Sequence, residues 1–97
     1  MMPHYRASRG VRLEPIGDMW AGYSPLSGET QLLNHESAAV LEWLLECGGG
    51  NTAQAASALA EHAGMEVAEL APRIQLAWGP LAAAGLIQRV PQPGIAL

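Results

Sequence analysis

The sequence predicts an α+β domain in which a three-stranded antiparallel meander precedes a bundle of three helices. Residues 11–33 consist of short apolar and polar runs separated by glycine and proline, as in strands joined by tight turns. From residue 34 onward, apolar residues recur at helical spacing, and glycines at 48–50, 64 and 85 divide this part into three segments. The chain of 97 residues is long enough for one hydrophobic core and too short for two.

Three segments of the first part have the pattern of short strands, at residues 11–16, 19–23 and 30–33. Pro15 has no backbone donor, so the first strand is expected at an edge of the sheet or in a bulge. Gly17 and Gly28 lie in the two intervening turns, where they supply dihedrals that other residues rarely adopt. Loops this short join antiparallel neighbours, because a parallel pairing needs a long crossover.

The first two helices have clear start and stop signals. Asn34 is predicted to cap the first helix, which ends at glycines 48–50. Thr52 is predicted to cap the second helix, which covers residues 53–63 and ends at Gly64. The expected buried residues are Ala39, Val40, Trp43 and Leu44 in the first helix and Ala56, Leu59, Ala60 and Ala63 in the second.

The third helix is expected from about residue 66 to residue 84, with Gly85 following its end. Its predicted buried stripe consists of Val67, Leu70, Ile74, Trp78 and Leu81. Pro72 and Pro80 each remove a backbone donor from the helix. The helix is therefore expected either to kink or to begin afresh at Pro72.

These elements divide the chain into a flexible lead-in at residues 1–10, a folded domain at residues 11–90 and a tail at residues 91–97. Residues 1–10 lack the apolar stretch of a signal peptide, and no apolar run has the length of a membrane span. The single Cys47 has no partner for an internal disulfide. We therefore expect a cytoplasmic protein without a membrane partner.

The charge and the scattered reactive residues exclude several classes of function. The net charge is −4 and all basic residues are arginines, which disfavours nucleic acid as a partner. The histidines His4, His35 and His62 have no second ligand at metal-binding spacing, and Cys47 has no base beside it. The glycines at 48–50 follow a helix rather than a strand, unlike a phosphate-binding loop. We expect neither an enzyme nor a bound cofactor or metal.

The predicted meander and third helix together favour a peptide-binding surface. A meander has an exposed edge, and adding an extended peptide to such an edge is a common recognition mode. Beyond its core stripe, the third helix has apolar or small residues and Arg73, its one positive charge, which could pair with an acidic ligand group. The alternative is that these small residues pack against the sheet or the first helix. The apolar or small residues in question are Leu76, Ala77, Gly79, Pro80 and Ala83.

The order of elements and several sequence segments resemble the PqqD family of peptide-binding domains. The resembling segments are residues 23–34, residues 37–45, Thr52, residues 58–60, Leu81 and residues 85–87, so that the resemblance spans residues 11–90. Residues 27–33 are also similar to a PqqD-like subgroup associated with relatives of HPr kinase.

The resemblance implies a winged helix-turn-helix-like fold and a role as a recognition element for ribosomally made, modified peptides. A precursor's leader peptide would bind as an extra strand between the third strand and the third helix, and would be presented to a modifying enzyme such as a radical SAM protein. The strand residues implied in binding are Thr30, Gln31, Leu32 and Leu33. The helix residues implied in binding are Arg73, Leu76, Ala77 and Pro80.

Two other roles compete with peptide binding. A winged helix can bind DNA, but its recognition helix would begin with Glu66 and Glu69, and it has Arg73 as its one basic residue. A dimerisation module would instead place the apolar face of the third helix against a second copy.

Overall fold

The computed structural model describes residues 3–91 and has the predicted α+β class, with a three-stranded antiparallel sheet, a two-stranded sheet and three helices. In chain order the elements are β1 (His4–Ala7), β2 (Arg12–Ile16), β3 (Met19–Ser24), β4 (Glu29–Leu33), α1 (His35–Cys47), α2 (Thr52–Ala63), α3 (Val67–Ala83) and β5 (Ile87–Val90). No helix within these residues combines the length and the apolar content that crossing a membrane requires.

Strands β2, β3 and β4 form the predicted meander, with β3 in the centre. A two-residue turn joins β2 to β3, with Ile16 paired opposite Met19. Pro15 lies in β2, which is an edge strand, one of the two positions expected for it. The β3–β4 loop closes where the Gly28 N–H donates to the Ser24 carbonyl at 2.8 Å, with Gly28 at a φ of 73°. The meander predicted from the turn residues is therefore confirmed.

At His4–Ala7, the two-stranded sheet corrects the prediction that residues 1–10 are a loose lead-in, of which residues 1 and 2 lie outside the described residues. Strand β1 pairs antiparallel with β5, from His4 opposite Val90 to Ala7 opposite Ile87. Tyr5 also exchanges two backbone hydrogen bonds with Gly50, at 2.8 and 2.9 Å. The prediction was wrong because the partners of β1 lie more than forty residues away along the chain. Beyond Pro91, the predicted tail lies outside the described residues.

The caps of α1 are those expected, whereas the cap of α2 differs by one residue. The Asn34 side chain accepts the Ser37 N–H at 2.8 Å, and Gly48 ends α1 in a left-handed conformation. Helix α2 is capped by Asn51, in a capping box with Gln54. Thr52, the predicted cap, is instead the first helical residue, and its buried hydroxyl bonds residues of α3.

Helix α3 is continuous from Val67 to Ala83, so it does not begin afresh at Pro72. Both prolines lie inside it. Because proline has no N–H, the carbonyls of Ala68 and Leu76 lack the donor that residue i+4 normally provides. Gly85 follows at a φ of 76°, as its predicted position after the helix requires.

Helix α1 packs against the meander, while α2 and α3 pack against α1 and each other around a single core. The expected stripes are partly wrong at their ends, since Val67 and Ala63 are exposed. Ser24 is completely buried, and its Oγ donates to the Gly85 carbonyl at 2.7 Å, which joins the β3–β4 hairpin to the end of α3. The largest fully buried apolar residues are Val40, Leu41, Leu44, Trp78, Leu81 and Leu86.

Candidate functional site

Strand β4 is an edge strand that pairs only with β3 within residues 3–91. In the two-residue turn at 17–18, Ile16 and Met19 form the closing hydrogen-bonded pair. Along β3, Met19, Ala21 and Tyr23 therefore direct their backbone hydrogen bonds to β2, and the residues between them direct theirs to β4. Gln31 and Leu33, opposite Gly22 and Trp20, therefore use their backbone groups toward β3. By the same alternation, Thr30 and Leu32 direct their N–H and C=O groups to the free edge.

The side chains of β4 alternate between the two faces of the sheet. Leu33 is 8% exposed and belongs to the hydrophobic core. The side chain of Leu33, one of the strand residues expected in binding, is therefore committed to the core. Gln31 is half-buried on the same face, whereas Thr30 and Leu32 lie on the opposite face, with Leu32 66% exposed.

The predicted helix residues lie together in a depression of about 260 Å³ between α3 and the first turn of α1. Leu76 is 76% exposed beside it, while Ala77 is buried at its base. The strand residues 30–33 do not line this depression, which begins at Asn34, directly after β4. The lining residues are Asn34, Glu36, Ser37, Arg73, Leu76, Ala77 and Pro80.

Arg73, expected to meet an acidic group of a ligand, has a partner within its own chain. Its Nη1 lies 3.7 Å from Oε1 of Glu36, and both side chains are about half exposed. An exposed pair at this distance contributes about 0–1 kcal/mol, so either group can exchange its partner for a ligand at small cost.

The helical wall also offers a backbone acceptor. The Leu76 carbonyl lacks its helical donor because residue 80 is proline, and both residues line the depression. A carbonyl without its intrahelical bond needs a donor from water or a ligand. The wall therefore presents apolar surface, one cation and a carbonyl to which residue 80 cannot donate.

The sequence analysis missed Asn34, Glu36 and Ser37 as lining residues. The sequence contained a signal for them. Asn34 caps α1 and follows β4 without a loop, so the first turn of α1 must lie at the end of β4. The analysis also missed the exposed side chains of Ile16 and Met19, which lie on the same sheet face as Leu32.

Within the described residues, no three side chains of histidine, cysteine, aspartate or glutamate are grouped as metal ligands are.

Comparisons of the chain with family models, with curated proteins and with solved structures found no match.

Proposed function

We propose that this protein is a non-catalytic, cytoplasmic adaptor that binds the leader segment of a ribosomally made precursor peptide and presents it to a modifying enzyme such as a radical SAM protein. The observation that supports it best is the free edge of β4, which ends directly at Asn34, a lining residue of the depression along α3. The resemblance of residues 11–90 to the PqqD family supplies the kind of client and partner.

In this proposal the peptide adds a fourth strand to the meander. Thr30 and Leu32 would supply two N–H donors and two C=O acceptors, which is enough to set the register of a short extended segment. Main-chain bonds of this kind give affinity without depending on the peptide's sequence. Selectivity would then come from the side chains on either side of the new strand.

The wall of α3 would supply that selectivity. A strand added to β4 turns alternate side chains toward Leu76, Ala77 and Pro80, which favour apolar residues. An acidic residue of the peptide would compete with Glu36 for Arg73. The other side chains of the peptide would lie on the outer sheet face, beside Thr30 and Leu32.

We also propose that the arrangement is winged helix-turn-helix-like, with α2 and α3 as the helical pair. DNA binding is the weaker alternative for such a fold here. Glu66 and Glu69 lie at the start of α3, where a recognition helix approaches the bases, and Arg73 is already paired with Glu36. A gel shift with random duplex at low salt tests this alternative.

The central test uses random linear peptides of about 12 residues, selected by display against the whole chain and measured by fluorescence anisotropy. Leu32→Pro removes one of the two donors at the free edge and places a proline ring in the path of the added strand, so we expect it to abolish binding of the selected peptides. Leu32→Ala is the matched control, because it keeps the N–H and should bind within a few fold of the parent. Thermal unfolding of both variants establishes that they are folded.

Normal affinity in folded Leu32→Pro would contradict strand addition. In a ¹⁵N NMR titration with a selected peptide, we expect signals of residues 30–33 and 73–80 to move together. Shifts confined to one of these segments would argue for a different site. Sedimentation at micromolar concentration separates both results from dimerisation.

A further inference from the structure

We infer that an open cavity lined by all three helices is an anchor subsite, which receives one bulky apolar side chain of the peptide bound at β4. The inference rests on the proposed function and adds to it a chemical requirement on the client. It concerns a cavity on the α2 side of the Glu36–Arg73 ion pair, outside the groove between β4 and α3.

The cavity has a volume of about 230 Å³ and lies between the first half of α1, the end of α2 and the first half of α3. It exists because α1 and α2 turn short side chains toward it, Ala39 and Ala63, where longer ones would fill the space. Its lining residues are His35, Glu36, Ala39, Val40, Leu59, His62, Ala63, Leu70 and Ile74.

The lining chemistry favours an uncharged apolar occupant. Val40, Leu70 and Ile74 are buried members of the core, so the inner walls are aliphatic. Polar groups enter the lining through His35, Glu36 and His62, which are exposed. An apolar cavity of about 150 Å³ can hold benzene, so this larger one can take a leucine, isoleucine or phenylalanine side chain.

The cavity borders the proposed groove at one shared lining residue. Glu36 lines both the cavity and the depression that begins where β4 ends. Its ion pair with Arg73 is long and exposed, so this pair is only a weak barrier to a peptide chain that crosses it. A peptide that leaves the edge of β4 beyond Leu33 thus meets the depression, the ion pair and then the cavity in succession.

Because of this path, the occupant we infer for the cavity is a side chain of the bound peptide and not a separate molecule. A five-residue edge gives a peptide few side-chain contacts, and a buried anchor supplies the selectivity that main-chain bonds lack. Burial of one such side chain corresponds to an affinity change of about 10- to 100-fold.

The test compares Ala63→Leu, which fills the cavity mouth, with Ala58→Leu, the same change at an exposed position of α2 outside the lining. The probes are peptides selected on the parent chain and alanine-scanned at each position. We expect one bulky apolar position, outside the strand-pairing segment, whose alanine variant binds about 10- to 100-fold more weakly. Ala63→Leu should lower the affinity of the original peptide by a similar factor. In that variant, the alanine substitution in the peptide should cause no further loss of affinity. Ala58→Leu should change neither of these affinities.

Leu59→Ala provides a second variant if Ala63→Leu fails to fold. It enlarges the cavity, so a new selection should replace the anchor by tryptophan or another larger residue. If neither Ala63→Leu nor Leu59→Ala changes what the anchor side chain contributes to affinity, the inference is overturned and strand addition is left intact. Loss of binding with Ala63→Leu but not with Leu32→Pro overturns strand addition and keeps the cavity as a peptide site.

Other occupants give different results. Benzene that shifts the methyl signals of Leu59, Leu70 and Ile74, with no anchor responding to Ala63→Leu, identifies a small-molecule site and overturns the inference. A dimer that Ala63→Leu dissociates overturns it in favour of a second copy. A library that yields no binder at all overturns both the anchor and the proposed function.

Discussion

The indole Nε1 of Trp78 donates a hydrogen bond of 2.8 Å to Oγ1 of Thr52, and this hydroxyl donates to Gln75 Oε1 at 2.9 Å. Trp78 and Thr52 are both buried, so water cannot replace either partner. The two bonds tie the first turn of α2 to the middle of α3. They hold the wall of the candidate groove in place from its inner side.

Thr52→Val removes the hydroxyl at nearly constant shape and leaves the Trp78 N–H buried without an acceptor. We expect the free energy of unfolding to fall by about 1–3 kcal/mol, measured by urea denaturation. Thr52→Ser keeps the hydroxyl and should cost clearly less. Equal losses in the two variants would mean that the methyl group, not the hydrogen bond, stabilises this contact.

Ser24→Ala removes the 2.7 Å bond to the Gly85 carbonyl from a fully buried position. We expect a loss of about 1–3 kcal/mol, because the carbonyl then lacks that partner. Because the bond joins the hairpin to the end of α3, hydrogen exchange of β4 amides should also accelerate. The matched control is Ser27→Ala, whose Oγ donates to the Ala84 carbonyl at 3.5 Å and accepts the Glu29 N–H at 3.2 Å. Because both bonds are exposed, this control should change stability by less than about 0.5 kcal/mol.

Tyr5→Ala tests whether β1 is part of the folded domain. The Tyr5 ring stacks on Trp78 with centroids 4.4 Å apart and 17° between the planes. We expect a loss of about 2–4 kcal/mol, from the stacking and the buried ring area together. Tyr5→Phe preserves the stack and should be nearly neutral, while exposed Arg6→Ala should stay within about 0.5 kcal/mol. A neutral Tyr5→Ala would mean that residues 1–10 are a lead-in after all.

Gly50→Ala places a methyl group against the Trp43 ring and 2.8 Å from Gln54 Oε1. We expect a loss of about 1–3 kcal/mol in thermal or urea unfolding, because neither neighbour can move without disturbing α1 or the capping box. Combining the change with Trp43→Leu should recover part of the loss, since the smaller side chain makes room. Strict additivity of the two changes would exclude the steric explanation.

Glu36→Gln breaks the ion pair with Arg73 but keeps the size of the side chain. Because the pair is exposed and 3.7 Å long, the free energy of unfolding should change by less than about 1 kcal/mol. Under the proposed function, the same variant frees Arg73 and should strengthen binding of selected peptides that contain an acidic residue. The control is Glu42→Gln, on the exposed side of α1 and away from Arg73, which should affect neither quantity.

Local signals in the sequence were sufficient for much of the fold. The turn residues around Gly17 and Gly28 predicted the meander, and Asn34 and Gly48 marked the ends of α1. These features could be read because each depends on residues within a few positions of one another. The four helix residues of the candidate groove were also placed together correctly, since i, i+3 and i+4 neighbours share a face of a helix.

The sequence by itself thus determined the antiparallel meander, the three helices that follow it, and the placement of Pro15 at a sheet edge or in a bulge. Only the tertiary structure decided that β1 pairs with β5, that Leu33 belongs to the core and that Arg73 meets Glu36. It also decided that the helices leave a cavity behind Glu36. The physical reason is that pairing, register and voids depend on residues far apart in the chain, whose approach is set by packing and not by local conformational preference.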